Sequence, residues 1–369
     1  MARIGVNALY LIPGGVGGTE IYLRRLLAAL ASIDAKNEYF VFTNRETGPD
    51  LVPRQPNFHA RPQAVHARFR PARIVWEQTV LAMEAARLDV LFNPGFTAPV
   101  LAPCACVTVF HDLQHAKHPE YFRWFDLPFW KLLLWASAHR ARRLIAVSEA
   151  TRADLVRVYG LPVGRIDVVL HGVEPEFFAL DRSSTEPFVL CVSTLHPHKN
   201  LDRLIRAYAR RKRDWRLVIA GMRGFFADAL DTLIADLGVE NSVELTGWIP
   251  RDNLLQLYGR AQAFVYPSTF EGFGMPVLEA MAAGIPVACS DIAPLREVAG
   301  DAALFFDPLN EDAIAGALDR ITMDAMLRAQ LAEAGPKRAR AFTWERAARE
   351  TLAALSRCSR VEPHASAWG

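Results

Sequence analysis

The feature that most constrains the fold of this 369-residue chain is a repeated alternation of short apolar runs with longer amphipathic ones. Strands that alternate with helices in this way form parallel sheets covered by helices. In the first half the predicted strands are RIGVNAL, YFVFTN, DVLFNP, CVTVFHD, RLIAVS and RIDVVLHG. In the second half they are FVLCVST, RLVIAG, SVELTG, AFVYP, PVACS and AALFF. Because the alternation occurs twice, the sequence predicts an α/β protein with two doubly wound, Rossmann-like domains.

The segment between the two halves, EPEFFALDRSSTEP (residues 174–187), is bounded by prolines and is the best candidate for a linker. A chain of this length suits two domains, and 51% hydrophobic residues can fill two cores. We therefore assign residues 1–180 to an N-terminal domain and residues 181–340 to a C-terminal domain. In the first half, helices are predicted at residues 20–32, 76–86, 129–142 and 149–159. Two such domains imply a ligand cleft at the carboxyl ends of the strands.

Composition excludes several classes of function. The net charge is only +2, which gives no electrostatic case for binding nucleic acid. The five cysteines are scattered, as buried thiols in a reducing compartment would be, and they form no zinc set. The N-terminus has no signal-peptide pattern, and no uninterrupted apolar segment approaches the ~18 residues of a membrane-spanning helix. We therefore expect a cytoplasmic protein.

A phosphate-binding loop is predicted in YPSTFEGFGMPVLEAMAAGIP (residues 266–286). A buried strand is expected before it, and Gly272 and Gly274 permit close approach of a ligand at the start of a helix. The N–H groups and the dipole of a helix N-terminus favour a diphosphate. Glu271 precedes the glycines and Glu279 is predicted in the first helical turn, which suits a diphosphate flanked by hydroxyl groups. The alternative is an ordinary strand, loop and helix.

The string EGFGMPVLEAMAAGIPV closely resembles the Glu-x7-Glu signature of retaining glycosyltransferases with the GT-B fold, especially glycosyltransferase family 4. This resemblance implies that a nucleotide-sugar donor lies mainly on the C-terminal domain. It also implies that the last helix, within residues 341–369, crosses back to the N-terminal domain and is followed by a tail. Glu279 is expected to hold the ribose hydroxyls and Glu271 to orient the sugar. The residues expected around the diphosphate are Gly272, Phe273, Gly274 and Met275.

A second glycine-rich loop, PGGVGGTE (residues 13–20), lies between the first predicted strand and the first predicted helix. From its residues alone, this loop is either a flexible surface turn or a site of close ligand approach. The resemblance to family 4 places Gly15, Gly17 and Gly18 over the sugar diphosphate and beside the acceptor.

His111 follows the strand CVTVF, so its imidazole is expected at the carboxyl edge of the first sheet, where ligands bind. It matches the histidine that family 4 members place against the donor sugar. His115 and His118 follow at spacings that invite a metal interpretation, but no carboxylate partner is evident and no Asp-x-Asp sequence occurs. We therefore expect no metal site and no essential metal cofactor.

Without a metal, a cation must offset the charge of the departing diphosphate. Lys199 is the candidate, in the loop LHPHKN after the strand FVLCVST, and Asn200 is expected to cap the next helix. Many family 4 members have an arginine where this chain has Thr194, so the identity of a second cation is open. Arg223, in the loop after the following strand, is either that cation or a solvated surface residue.

Aromatic and basic side chains are concentrated in YFRWFDLPFWKLLLWASAHRARR (residues 121–143). This combination is typical of a membrane interface, but a core helix with a basic exposed end would give the same pattern. The sequence leaves open whether the protein makes peripheral contact with the inner face of the membrane.

The resemblance implies a retaining hexosyltransferase that acts on a glycan or lipid-linked glycan in lipopolysaccharide or other cell-surface polysaccharide biosynthesis. The strings STLHPHKN and FEGFGMPVLEAMA look most like bacterial polysaccharide mannosyltransferases. They favour GDP-mannose as donor, with UDP-glucose and UDP-N-acetylglucosamine left open. The alternatives are a sugar-nucleotide 2-epimerase of the same architecture and a non-catalytic nucleotide-sugar-binding subunit.

Overall fold

The computed structural model describes residues 1–14, 17–211, 215–224 and 226–359, and it divides the chain into two compact units. The first unit comprises Met1–Gly172 with Trp344–Gly369, and the second comprises Val173–Thr343. The sequence placed the division near residue 180. Residues 173–180 lie with the second unit because Phe177 is fully buried in it and Glu174 is nearly so.

The first unit is built on a seven-stranded sheet in the order β3-β2-β1-β4-β5-β6-β7, with every neighbouring pair parallel. Its strands are β1 (Arg3–Asn7), β2 (Glu38–Thr43), β3 (Phe58–Pro62), β4 (Val90–Asn93), β5 (Ala105–Phe110), β6 (Arg143–Ala146) and β7 (Ile166–Val168). The order of the strands reverses between β1 and β4. In sheets of this type, ligands bind beyond the carboxyl ends of the strands at such a reversal.

The helices of residues 1–172 lie between these strands. They are α1 (Gly18–Ile33), α2 (Arg70–Trp76), α3 (Ala82–Glu84), α4 (Gln114–Lys117), α5 (Leu127–Arg140) and α6 (Glu149–Tyr159). A π-helical segment, Glu77–Leu81, joins α2 to α3. Short 3₁₀ turns lie at Gly48–Leu51, Ala85–Arg87, Pro119–Tyr121 and Val163–Arg165.

The second unit has a six-stranded parallel sheet in the order β10-β9-β8-β11-β12-β13, with the reversal between β8 and β11. Its strands are β8 (Glu186–Val192), β9 (Arg216–Ala220), β10 (Val243–Gly247), β11 (Ala261–Tyr266), β12 (Val287–Ser290) and β13 (Leu304–Phe306). Its helices are α7 (Pro175–Phe178), α8 (Leu201–Ala209), α9 (Ala227–Asp236), α10 (Arg251–Arg260), α11 (Met275–Ala282), α12 (Ala293–Ala299), α13 (Glu311–Met323) and α14 (Ala325–Ala339), with a 3₁₀ turn at Pro197–Lys199.

The last helix, α15 (Trp344–Ser359), belongs to the first unit, where it packs against α1 and β5. Small side chains allow the close approach, since Ala347 and Ala348 are fully buried. No helix in the described part of the chain is long and apolar enough to cross a membrane. All five cysteines are free thiols, and four of them are buried.

The prediction of two doubly wound α/β domains is confirmed, and every predicted strand is present. The structure adds the edge strand β3, which the apolar pattern missed because its outer residues are half-buried or exposed and include His59 and Arg61. The predicted helix at residues 76–86 has the wrong start. It begins at Arg70, where Pro71 suits the first turn, and it passes through the π-helical segment instead of continuing as a regular α-helix.

Candidate functional site

The acidic, glycine-rich loop connects β11 to α11 at the point where the strand order of the second sheet reverses. Gly274 precedes the helix with a φ of 111°, and a Cβ added there would come within 2.4 Å of the Leu295 side chain. Glycine is therefore favoured at this position by its backbone conformation, and a larger residue would also have to displace the end of the Leu295 side chain. Pro276 lies in the first turn of α11, and Gly284, with a φ of 68°, follows its end.

Lys199 and Glu271 lie in contact beside this loop, although they are far apart in sequence. Lys199 Nζ donates to Glu271 Oε1 at 2.6 Å and to Tyr266 Oη at 3.1 Å, and Tyr266 Oη donates to the same carboxylate oxygen at 2.8 Å. Burial opposes the charge of Glu271, but Lys199 outweighs it and lowers the pKa of this carboxyl. Glu271 is therefore ionised, and one of the three ammonium protons of Lys199 remains for another acceptor.

Asn200 holds the Lys199 loop in place. Asn200 occupies the N-cap position of α8, as expected, but its side chain accepts no hydrogen bond from a backbone N–H group of the helix. Instead Asn200 Nδ2 donates to the carbonyls of Pro267 at 3.1 Å and Pro308 at 2.7 Å. Asn200 itself has a φ of 57°, in the left-handed region that asparagine tolerates better than most residues. The loops after β8, β11 and β13 are therefore tied together through one buried amide.

Glu279 is buried within α11 and receives a hydrogen bond from Tyr258 Oη at 2.8 Å. Burial raises its pKa to about 7, while the charge of Arg251 and the Tyr258 hydroxyl limit the rise. The sequence prediction that Glu279 lies in the first turn is wrong. Because α11 begins at Met275, Glu279 falls in the second turn and faces α10.

Sequence reasoning missed the residues that surround Glu279. Arg251 forms an ion pair with Glu174, and its guanidinium lies 4.8 Å from the centre of the Phe177 ring. Phe177 in turn packs edge-on against Tyr258, with ring centres 5.1 Å apart. These side chains come from α10 and from the start of the second unit. No local motif contains them, so no sequence signal could have identified them.

Two further predicted donor residues of the second unit, Thr194 and Arg223, lie in the loops after β8 and β9. Thr194 follows β8, and its carbonyl accepts a hydrogen bond from His196 N at 2.9 Å. Arg223 follows β9, is nearly half exposed, and forms ion pairs with Asp228 at 3.5 Å and with Asp231. These carboxylates raise the pKa of Arg223, first Asp231 and then Asp228, and thereby stabilise its positive charge.

In the first unit, His111 directly follows β5 and is largely buried. Its Nε2 lies 2.9 Å from the Pro94 carbonyl, and a carbonyl only accepts, so Nε2 carries the proton and Nδ1 presents a lone pair. Burial lowers the pKa of His111 to about 4, so the ring is neutral. The rings of Tyr22 and Phe96 lie 4.9 and 5.2 Å away. His111 is therefore built to accept a hydrogen bond and not to donate a proton.

The two histidines after His111 have separate partners. His115 Nε2 lies 2.7 Å from Tyr159 Oη, and His118 Nδ1 lies 3.0 Å from Glu120 Oε1. Among the residues that the structure describes, no group of three or more histidine, cysteine, aspartate or glutamate side chains could hold a metal ion.

The glycine-rich loop of the first unit leads into α1. Gly17 has a φ of 58° immediately before the helix, and Gly18 is the first helical residue. Gly14 N donates to Glu20 Oε2 at 2.7 Å, which closes the loop onto the first turn. Gly15 lies outside the described residues.

Two doubly wound sheets of parallel strands, one of them with an acidic, glycine-rich loop in front of α11, are typical of the GT-B fold of glycosyltransferases. A solved sucrose-phosphate synthase from Thermosynechococcus elongatus has a TM-score of 0.78 at 21% identity, covering 97% of this chain and 98% of its own. HepE from Anabaena, in complex with UDP and glucose, has a TM-score of 0.76 at 20% identity, covering 96% and 100%. At these identities the similarity concerns the fold alone.

Two family models match consecutive parts of the chain: Glycosyltransferase Family 4 over residues 16–177 and Glycosyl transferases group 1 over residues 173–338. O-antigen chain mannosyltransferase B of Escherichia coli is 31% identical over 299 residues, 77% of each chain. O-antigen chain mannosyltransferase RfbU of Salmonella typhimurium is 30% identical over 215 residues, 57% of this chain and 59% of its own. The chain belongs to glycosyltransferase family 4, as its sequence predicted.

Proposed function

We propose that this glycosyltransferase moves a hexose, with mannose from GDP-mannose favoured, onto a glycan or lipid-linked glycan and retains the anomeric configuration. The observation that carries the proposal is the contact of Lys199 with Glu271 beside α11, with Glu279 buried in that helix. A cation and two carboxylates around a helix N-terminus suit a diphosphate flanked by ribose and sugar hydroxyls. The O-antigen chain mannosyltransferases of Escherichia coli and Salmonella typhimurium support mannose and cell-surface polysaccharide biosynthesis.

In this proposal the donor lies over the carboxyl ends of β8 and β11. Glu279 accepts hydrogen bonds from the ribose hydroxyls, and Glu271 accepts one from the sugar. Lys199 uses two of its ammonium protons on Tyr266 and Glu271, so its third proton is available to a phosphate oxygen. The remaining donor contacts are assigned to Gly15, Gly17, Gly18, Thr194, Gly272, Phe273, Gly274 and Met275. Arg223 stays the candidate second cation and would have to leave its two aspartates to contact the donor.

The proposed transfer replaces one bond at C1 of the sugar with another on the same face. The bond from C1 to the phosphate oxygen breaks while the acceptor oxygen bonds to C1, and the acceptor proton passes to the departing phosphate. Lys199 stabilises the negative charge that grows on that phosphate. His111, neutral and with Nδ1 as acceptor, receives a hydrogen bond from a hydroxyl of the donor sugar.

The acceptor side is proposed to include peripheral contact with the inner face of the cytoplasmic membrane. One face of α5 is buried, but the other exposes Phe129, Leu132 and Trp135, and Trp124 is 84% exposed just before the helix. Apolar side chains exposed beside basic ones suit an anionic lipid surface. Cosedimentation with vesicles containing phosphatidylglycerol should decrease for Trp124→Ser with Phe129→Ser. Equal cosedimentation of this variant would contradict the contact.

A panel of nucleotide sugars tests the function. GDP-mannose should raise the melting temperature more than UDP-glucose or UDP-N-acetylglucosamine, and NMR of the product should show retained configuration at the new linkage. A 2-epimerase would convert the nucleotide sugar into its epimer without an acceptor. A non-catalytic subunit would bind the nucleotide sugar and leave it unchanged with every acceptor. Either of these results contradicts the proposal.

A further inference from the structure

A polar cluster lies at the strand-order reversal of the first sheet. Glu77, the first residue of the π-helical segment, is 1% exposed. Its Oε2 accepts from Asn7 Nδ2 at 3.1 Å and from Thr97 Oγ1 at 2.9 Å, and its Oε1 accepts from Gln78 Nε2 at 3.2 Å. Asn7 ends β1 and Thr97 follows β4, so the cluster lies at the carboxyl ends of the two strands where ligands of such sheets bind.

Arg73, one helical turn before Glu77, is a buried cation that no carboxylate of the described residues contacts directly. Arg73 is only 8% exposed, and its guanidinium makes no hydrogen bond or ion pair within the described ranges. The Nε atom is completely covered and has no partner. The charge of Glu77 acts on Arg73, but no Glu77 oxygen contacts the guanidinium, and both oxygens already accept other hydrogen bonds. Burial disfavours the charge of this guanidinium and lowers its pKa, and a bound anion would offset that effect.

The surroundings of Arg73 connect it to the edge of the sheet that carries His111. Tyr10 packs its ring over Gly95, where an added Cβ would come within 2.3 Å of the Tyr10 ring. The neighbouring residue, Pro94, accepts the hydrogen bond from His111. Arg73 is one helical turn from Glu77, which contacts Asn7 at the carboxyl end of β1. Arg73 therefore lies near the same edge of the first sheet as His111, and it has no role in the transfer described above.

We propose that Arg73 anchors a binding site for a phosphate group of the acceptor substrate. A guanidinium presents paired donors that match two phosphate oxygens, and it stays charged at any physiological pH. Binding of phosphate does not depend on the proposed function, but assigning that phosphate to the acceptor rests on it. Two sources share this chemistry: a phosphorylated sugar and the diphosphate of a lipid-linked glycan.

The test uses the whole chain saturated with whichever nucleoside diphosphate stabilises it, so that the donor site is occupied. Sodium pyrophosphate at ~100 times its dissociation constant should raise the melting temperature by about 3 to 4 °C, relative to sodium chloride at equal ionic strength. Arg73→Met should abolish this rise. Arg70→Met, an exposed arginine on the same helix, should leave it unchanged. Geranyl diphosphate that binds more tightly than pyrophosphate would identify the lipid source, and equal binding would identify a phosphorylated sugar.

Glu77→Gln supplies a second test that does not remove the arginine. It keeps the size of the side chain, and it takes away the negative charge that competes with phosphate, so phosphate should bind at least ~tenfold more tightly. An arginine with a purely structural role would produce no such gain. The proposal is overturned if Arg73→Met responds to pyrophosphate as the unaltered protein does, or if neither pyrophosphate nor geranyl diphosphate raises the melting temperature of the unaltered protein. If no nucleotide stabilises the chain, the proposed function fails, and the phosphate titrations still decide on Arg73.

Discussion

At the scale of single residues, the surroundings of Glu279 change the pKa of its carboxyl group. Burial raises its pKa to about 7 from an ordinary value of 4.5. The sign of the linkage follows from this direction, because a carboxyl with a raised folded-state pKa stabilises the fold most below 4.5 and loses that contribution as pH rises through about 7. The ionised Glu279 that a ribose requires is therefore the form that the ligand-free protein disfavours.

Nucleoside diphosphate affinity should consequently fall as pH drops below about 7, by up to ~tenfold per pH unit. Glu279→Gln should weaken binding at least ~tenfold at about pH 8, because a charge-assisted hydrogen bond to hydroxyls is lost. In this variant, the pH dependence of binding should come only from the titration of the nucleotide's own phosphate. Calorimetry from about pH 5.5 to about pH 8 measures both effects.

Tyr258→Phe should shift the midpoint of this pH profile upward, because the Tyr258 hydroxyl stabilises the ionised form of Glu279. Tyr208→Phe is the matched control, since it removes a buried hydroxyl that bonds the Trp215 carbonyl at 2.7 Å, remote in sequence from Glu279. A pH profile that is the same for Tyr258→Phe and Glu279→Gln as for the unaltered protein would exclude Glu279 from the ribose site.

Lys199→Ala should reduce turnover by about 10² to 10³, because one preorganised cation is lost from the departing diphosphate. The same substitution strands Glu271 as a buried carboxylate, so the double variant Lys199→Ala with Glu271→Gln separates lost catalysis from lost stability. Arg223→Ala should reduce turnover by a smaller factor if Arg223 is the second cation. It should leave turnover unchanged if Arg223 only forms ion pairs with its two aspartates. Single-turnover transfer with melting temperature in parallel decides this, and near-normal transfer by a folded Lys199→Ala variant is the contradicting result.

At the scale of elements, α11 is bounded by two glycines that are both in positive-φ conformations but have different surroundings. Gly284→Ala should cost about 1 to 2 kcal/mol of unfolding free energy from backbone conformation alone, since its nearest atoms are 3.6 Å from an added Cβ. Gly274→Ala should cost more, because Leu295 must also move. Urea unfolding measures both, and equal costs would show that Leu295 yields freely. Comparing Gly274→Ala, Leu295→Ala and the double variant isolates the contact between the added Cβ and the Leu295 side chain.

Local sequence patterns predicted the buried elements well and the strand at the edge of the first sheet poorly. The apolar runs located the strands because parallel strands are covered on both faces. The sequence did not predict the edge strand β3, because its exposed positions carry polar residues. It did not predict the start of α2, because the π-helical segment that follows interrupts the usual helical periodicity.

At the scale of the whole molecule, activity should survive excess EDTA. Lys199 and the N-terminus of α11 are proposed to offset the diphosphate charge without a divalent ion. Turnover measured with and without EDTA, then with added magnesium or manganese, gives the answer. Complete loss that either metal restores would mean that the diphosphate site is misassigned.

The sequence by itself determined the two doubly wound domains and the loop before α11, because these depend on periodicity and on glycine and proline at short spacing. It indicated the family through its resemblance to the Glu-x7-Glu signature. Only the tertiary structure decided what each functional group touches. Lys199 and Glu271 are 72 residues apart, and Tyr258 meets Glu279 only after α10 packs beside α11. The buried charge of Arg73 and the raised pKa of Glu279 likewise arise from desolvation, which depends on the packing of distant segments and is contained in no local pattern.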